Sequence, residues 1–564
     1  MTNDWHDLLS QPKYGIKTEK NIQVRARDGI RLSMDVYRPD AAGKFPALVS
    51  LSPYGKELQA LLLPPQSVGA SAVWDGNIEA GDIPYFVSRG YVHIIGDLRG
   101  TGTSEGEYYG YFNRTEGEDG YDVVEWAAAQ PWCDGNVGMV GRSYFAQTQI
   151  KTAIEQPPHL KAICAISEFS DFYRDMAYQG GVLSIFPYGL WDGRGGTSGC
   201  ARNNPVSVMM KERSKEEVEA RRQERLNDPD IRNYPNLFHL LHYPQKNPPF
   251  FDILLNPFDG PFHWERSTYP ALERIKAATY VGGSFGNINA KSCWKTFGGL
   301  KSLKRLVVSG KSMADRPWRE DHDLALRWYD HWLKGIDTGV MDEPPIKFFV
   351  YGANEWRYAH EWPLPQTRWT KFFLHGRGRI ALVPEYCSEE PDSFLQEPLH
   401  LSNKKDTLRY LSAPMSENLT LIGPAALHLF ASIDQTDTNW IVKLGMVTPD
   451  GAEQHLGTSY LRASHRATDP AKSLPGRPWH PHTHSEPIKA GEICEYPIEL
   501  DPIACVLTAG SRIRLEIGSM ESTLDHEMIV HYHPHLCSSK TTLHKVFRNQ
   551  VYQSHLLLPV IPSA

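Results

Sequence analysis

The stretch GNVGMVGRSYFAQTQIKTAIEQ, residues 135–156, decides the fold. Val137-Gly138-Met139-Val140 reads as a short buried strand, and the residues from Gln147 on read as a helix. Between them stands Gly141-Arg142-Ser143-Tyr144-Phe145-Ala146. A serine on so sharp a strand-to-helix turn has its Oγ exposed, and the helix N-terminus is aimed at negative charge developing beside it. Small flanking residues relieve the crowding; the second of them is Ala146 rather than glycine, a mild departure from the usual pattern. The other reading is a buried serine in a strand–helix loop, but the strand, the helix and their place in the chain favour a nucleophile.

Upstream, IQVRARDGIRLSMDVYRPD alternates around the turn Asp28-Gly29, the pattern of a β-hairpin. FPALVSLSPYG and YVHIIGDLRGTG are apolar runs ending in glycine-rich loops, and GYDVVEWAAAQ reads as a helix. Strands alternating with helices indicate a mostly parallel sheet covered on both faces. Downstream, residues 169–271 break the pattern with GGVLSIFPYGLWDGRGG and the charged VMMKERSKEEVEARRQERLND, read as a helical cap insertion. The α/β pattern returns over 272–342 with ATYVGGSFGN, LKRLVVSGK and the helix HDLALRWYDHWLKGI. From 343 to 564 strands follow one another without helices, as in a β-sandwich or jelly roll.

The chain has 564 residues, enough for two or three domains. Apolar residues at 41% and charged residues at 22% are ordinary for a globular protein, and the net charge of -7 argues against nucleic acid as a partner. No signal-like or membrane-spanning stretch is evident. The eight cysteines show no C-x-x-C pair, so reduced, packed thiols in a cytoplasmic protein are expected.

Longer motifs carry a family resemblance: SPYGK (52–56), DLRGTGTSEG (97–106), EGEDGYDVVEWAAAQPWCDGNVGMVGRSYFA (116–146) and RWYDHWLKGIDTG (327–339). With WIVKLGMVTPDG, YLRASHRATDP and SHLLLPVIP near the end, the chain resembles the cocaine-esterase and X-prolyl-dipeptidyl-peptidase-like (CocE/NonD) hydrolases. That resemblance implies an α/β-hydrolase domain (1–168 and 272–342), a helical cap (169–271) and a C-terminal jelly roll (343–564). It also implies acyl transfer to serine followed by hydrolysis of an ester or amide, without a cofactor. Ser143 matches the family nucleophile and Tyr54 the tyrosine whose hydroxyl donates to the oxyanion. The N–H of Tyr144 would be the second donor.

The same resemblance places an acid in a G-W-x-D-like segment and a histidine in a G-P-W-x-H-like one. Here the corresponding stretches, 281–289 and 311–318, contain no carboxylate and no histidine respectively. His322 and Asp315 stand near the second stretch as stand-ins for the base, and Asn287 in the first could orient a water. Glu168, Asp171 and Asp192 lie near the cap junction.

Metal readings of His480, His482 and His484, or of His531, His533 and His535, are set aside in favour of a proline-stiffened loop and a strand face. The acidic run EGEDG reads as the solvated start of a helix.

Three functions follow: a serine-dependent acyl-bond hydrolase or acyltransferase for a small, partly apolar carbonyl substrate; a hydrolase fold repurposed for a non-hydrolytic step in specialised metabolism; and a binding protein. A homodimer is the default expectation.

Overall fold

The computed structural model describes residues 5–61, 78–192, 204–287, 290–310, 321–386, 390–521 and 535–562, with short strands at 66–67 and 315–316. Ten strands form one sheet. They are β1 (Ile16–Arg25), β2 (Arg31–Pro39), β3 (Phe45–Ser52), β4 (Val92–Asp97), β5 (Cys133–Arg142), β6 (Leu160–Ile166), β7 (Ala278–Ser284), β8 (Lys304–Ser309), β9 (Ile346–Val350) and β10 (Glu355–Ala359). Their spatial order is β1-β2-β4-β3-β5-β6-β7-β8-β9-β10.

From β4 through β9 every neighbouring pair is parallel, while the hairpin β1–β2 and the last pair β9–β10 are antiparallel. Covered on both faces, the central strands are apolar along their length, and β4 is buried throughout. The sheet runs past the boundary expected at 343. Ile346, Phe348 and Val350 point alternately into the core, and β9 and β10 extend this sheet.

Five helices matter for the site: α1 (Ile83–Ser88), α2 (Arg114–Ala128), α3 (Tyr144–Ile154), α4 (Ser292–Gly299) and α5 (His322–Lys334). α2 lies close against α3 at two glycines: a Cβ on Gly117 would stand 2.8 Å from Lys151 O, and one on Gly120 1.9 Å from Thr152 Oγ1. That approach corrects the reading of EGEDG as solvated. Glu116 and Asp119 lie on the helix face turned inward and are buried, Asp119 pairing with Arg99 at 2.6 Å.

Between β6 and β7 the chain is helical. It begins with a π-helix over Phe172–Ala177 and includes Val208–Glu212, Lys215–Asn227, Pro235–His242, Pro248–Leu254 and Pro261–Arg266. Proline at the first position suits the last three, since its missing N–H would have no partner there anyway.

Beyond Arg368 a second sheet of 13 strands, consistent with a β-sandwich, closes around Leu427, Trp440, Tyr496 and Leu515. Its end reaches back to the cap side. Leu536 N–H donates to Leu183 O at 2.9 Å, and His535 lies with Nδ1 2.8 Å from Glu521 and Nε2 2.8 Å from Gln179 Oε1.

No described helix is long and apolar enough to cross a membrane. The six described cysteines are free thiols, four of them buried; Cys200 and Cys387 lie outside the described residues.

Candidate active site

Ser143 closes β5 with φ 55° and ψ −117°, a left-handed backbone that an L side chain rarely adopts. Such a residue costs about 1–3 kcal/mol and persists only where its surroundings over-determine it. Here they do. Ser143 N–H donates to Ile166 O at the end of β6 (2.9 Å), Arg142 N–H to Glu79 O (3.0 Å), and Gln147 N–H to Ser143 O (3.0 Å). Gly141 is obligatory, because at φ 130° an added Cβ would sit 2.4 Å from Phe145 Cβ. Ala146, fully buried, fills the second small position. Ser143 itself is half-buried at the N-terminus of α3, and its side chain caps no helix N–H.

The next residue is anchored from behind. Tyr144 OH donates to Glu116 Oε1 (2.8 Å), lies 2.8 Å from Tyr108 OH and accepts from Phe112 N–H (3.3 Å). Burial pushes the Glu116 carboxyl up, against the pull of the Tyr144 hydrogen bond and of Lys151. Tyr54 meets Tyr144 edge-on at 5.6 Å between ring centres and Phe145 at 6.3 Å. Its loop is fixed by Ser52 Oγ, which accepts Tyr54 N–H (3.1 Å), and by Asp97, which accepts the N–H groups of Lys56 (2.8 Å) and Thr103 (2.9 Å). Nothing in the sequence pattern isolated Glu116 or Tyr108; only the glycine pair facing α3 hinted which side of α2 turns inward.

The sequence candidates for acid and base are scattered. Asn287 follows the end of β7, its Nδ2 3.4 Å from Ser284 Oγ. Asp315 pairs through its backbone with Ser67, and its side chain lies outside the described residues. His322 is not on an exposed helix start. It is buried against Tyr85 and Phe86, and its Nε2 accepts Asp82 N–H at 3.2 Å.

Glu168, two residues past β6, is buried and accepts Thr296 Oγ1–H at 2.6 Å; burial pushes its carboxyl up to about 8. Asp171 lies between Lys295 and Arg174, whose charges outweigh burial and hold it near 2. His480 and His482 are buried in the loop of the strand-rich module, whereas His531, His533 and the Asp192 side chain lie outside the described residues. Among the described residues no group of three or more His, Cys, Asp or Glu side chains could hold a metal ion.

A left-handed serine between the fifth strand of a largely parallel sheet and its following helix, with a helical insertion after the sixth strand, defines an α/β-hydrolase. The chain belongs to the X-Pro dipeptidyl-peptidase (S15) family, which matches residues 28–312. The X-Pro dipeptidyl-peptidase C-terminal non-catalytic domain matches residues 338–537. The chain is similar to the cocaine esterase of Rhodococcus sp., 26% identical over an alignment covering 96% of this chain and 98% of that protein. Among solved structures it resembles a CocE/NonD family hydrolase from Staphylococcus aureus, with TM-score 0.75, 22% identity and coverage of 98% and 97%. It also resembles an α-amino acid ester hydrolase, with TM-score 0.75, 17% identity and the same coverage. The chain is therefore a member of a family of esterases and peptidases.

Proposed function

We propose that Ser143 is the nucleophile of an acyl-bond enzyme acting on a small, partly apolar ester or amide. The Tyr54 hydroxyl and the Tyr144 N–H hold the oxyanion. The observation that carries this reading is the strained, uncapped Ser143 on its strand-to-helix turn. Kinship with an esterase over 96% of the chain supports it. Attack by Oγ on the carbonyl carbon gives a tetrahedral oxyanion, expulsion of the leaving group gives an acyl-enzyme, and water or another acceptor releases it. Intact-mass detection of a fluorophosphonate adduct tests the reading. Rapid labelling that vanishes in Ser143→Ala supports it, and no labelling of the folded protein rules it out.

A second reading is a non-hydrolytic step, such as a cyclisation, rearrangement or elimination, on the same scaffold. What favours it is Asn287 at the end of β7 together with the lack of histidine throughout 311–321. Loss of a triad base costs about 10⁴–10⁶ in kcat, so an enzyme lacking one is poor at ordinary hydrolysis. Product mass without added water, from a substrate turned over equally well by Ser143→Ala, would select this reading.

A further inference from the structure

The ten-stranded sheet has two outer edges, and the chain treats them differently. Along β1 the register shifts between Glu19 and Ile22, where Asn21 takes φ 57°, and Lys17 and Lys20 stand exposed. Bulges and lysines of this kind blunt an edge against pairing with another chain. β10, at the other edge, pairs with β9 over its whole length without a shift, from Glu355 opposite Val350 to Ala359 opposite Ile346. It contains no proline, and no strand lies on its outer side among the described residues. Its 5 residues are an ordinary strand length, so the edge is not too short to pair.

One face of β10 is aromatic and exposed. Trp356 is 43% exposed and Tyr358 44%. Trp356 meets Phe349 edge-on at 5.6 Å, and Lys347 Nζ lies 5.0 and 5.6 Å from the centres of the Trp356 and Tyr358 rings. On the other face Glu355 accepts from Arg357 Nε at 2.7 Å, and both side chains reach solvent. A strand edge bearing large apolar side chains is a template for a further strand. The order Glu355-Trp356-Arg357 selects which strand. Residues directly opposite in an antiparallel pair point to the same face, so a two-fold axis relating two such strands passes through a residue. With that axis at Trp356, Glu355 stands opposite Arg357 of the second copy and Arg357 opposite its Glu355. The two Trp356 rings then lie opposite one another on the aromatic face. With the axis at Arg357, two guanidinium groups stand opposite one another, which opposes pairing. The charges of β10 therefore match the same strand of a second copy.

We propose that β10 is a dimerisation edge, on which a second copy of this chain pairs antiparallel about Trp356 and joins two ten-stranded sheets into one. Backbone hydrogen bonds between the two strands hold the copies together, and the two Glu355–Arg357 pairs fix the register. The edge uses none of the residues assigned to acyl chemistry, so it stands or falls separately from Ser143.

Sedimentation velocity of the full chain over a concentration series tests it. A dimer is expected for the wild type. Arg357→Glu sets two carboxylates opposite one another at both ends of the pairing and should weaken the dimer about tenfold or more. Exchanging both charges, Glu355→Arg with Arg357→Glu, restores the match of the strand with its own copy and should restore the wild-type dissociation constant. Both positions are exposed, and the double variant shows whether a loss in the single one comes from repulsion or from misfolding. A monomer at every concentration overturns the proposal. So does a dimer as tight in Arg357→Glu as in the wild type, which would place the interface on another surface, and so does a double variant no tighter than the single one.

Discussion

Replacing Glu168 by glutamine should make the protein less sensitive to alkali. The buried carboxyl titrates at about 8 in the folded chain, against an ordinary 4.5. Between those values the folded chain keeps a proton that the unfolded chain has lost, so stability falls as pH rises through the window. Glutamine keeps an acceptor for Thr296 Oγ1–H, 2.6 Å away, and has no proton to lose. From pH ~6 to pH ~9 the wild type should therefore lose about 2.5 kcal/mol more than the variant, at about 1.36 kcal/mol per pK unit. Equilibrium urea unfolding of both proteins at the two pH values measures this. Because the quantity is a change in the difference between the two proteins, any fixed cost of the substitution cancels. A change below about 1 kcal/mol would show that the carboxylate is solvated or otherwise compensated, and the reasoning from burial would fail.

Three further outcomes follow from the geometry. Tyr54→Phe keeps the edge-on contact with Tyr144 but removes the hydroxyl, and should slow fluorophosphonate labelling of Ser143 about 10²-fold. Tyr144→Phe leaves Glu116, Tyr108 and the Phe112 N–H short of a partner in the interior, which should cost about 2–4 kcal/mol in urea unfolding. Gly102→Ala puts a Cβ 2.1 Å from Asp97 Oδ2 at φ 49°, and should lower stability by about 3 kcal/mol or more by the same measurement.

The elbow was readable because its steric condition is local: Gly141, Ser143 and Ala146 carry it within six residues, although long-range bonds to Ile166 and Glu79 hold it. The central strands were readable for a similar reason, since burial on both faces leaves a continuous apolar run such as Ala162–Ile166. Glu116 escaped because a charged residue in the first turn of a helix suits solvent as well as a buried hydroxyl. Only the approach of α2 to α3 at Gly117 and Gly120 decides between them. The alternation of β9 serves either sheet, and only its pairing with β8 shows which one it joins. Among polar neighbours in the sequence (Arg319, Glu320, Asp321 and Asp323), nothing marks His322 as buried; its burial depends on the segment carrying Asp82, whose N–H donates to its Nε2. In each case the missing information was a long-range contact.

The pairing of Leu536 and His535 with Leu183, Ser184 and Gln179 has a consequence for how the chain is made. Translation at about 5–20 residues per second spends roughly 20–70 seconds between emergence of the cap-side edge and of the segment that covers it, if synthesis is steady. Throughout that interval residues 182–184 present a strand edge with no partner from the C-terminal segment, an invitation to pairing with another chain. That edge therefore stays uncovered until residues 535–536 have been made and have folded back. Nascent chains truncated before 535 should shift the protein toward aggregation even though every residue of the nucleophile turn has long been in place.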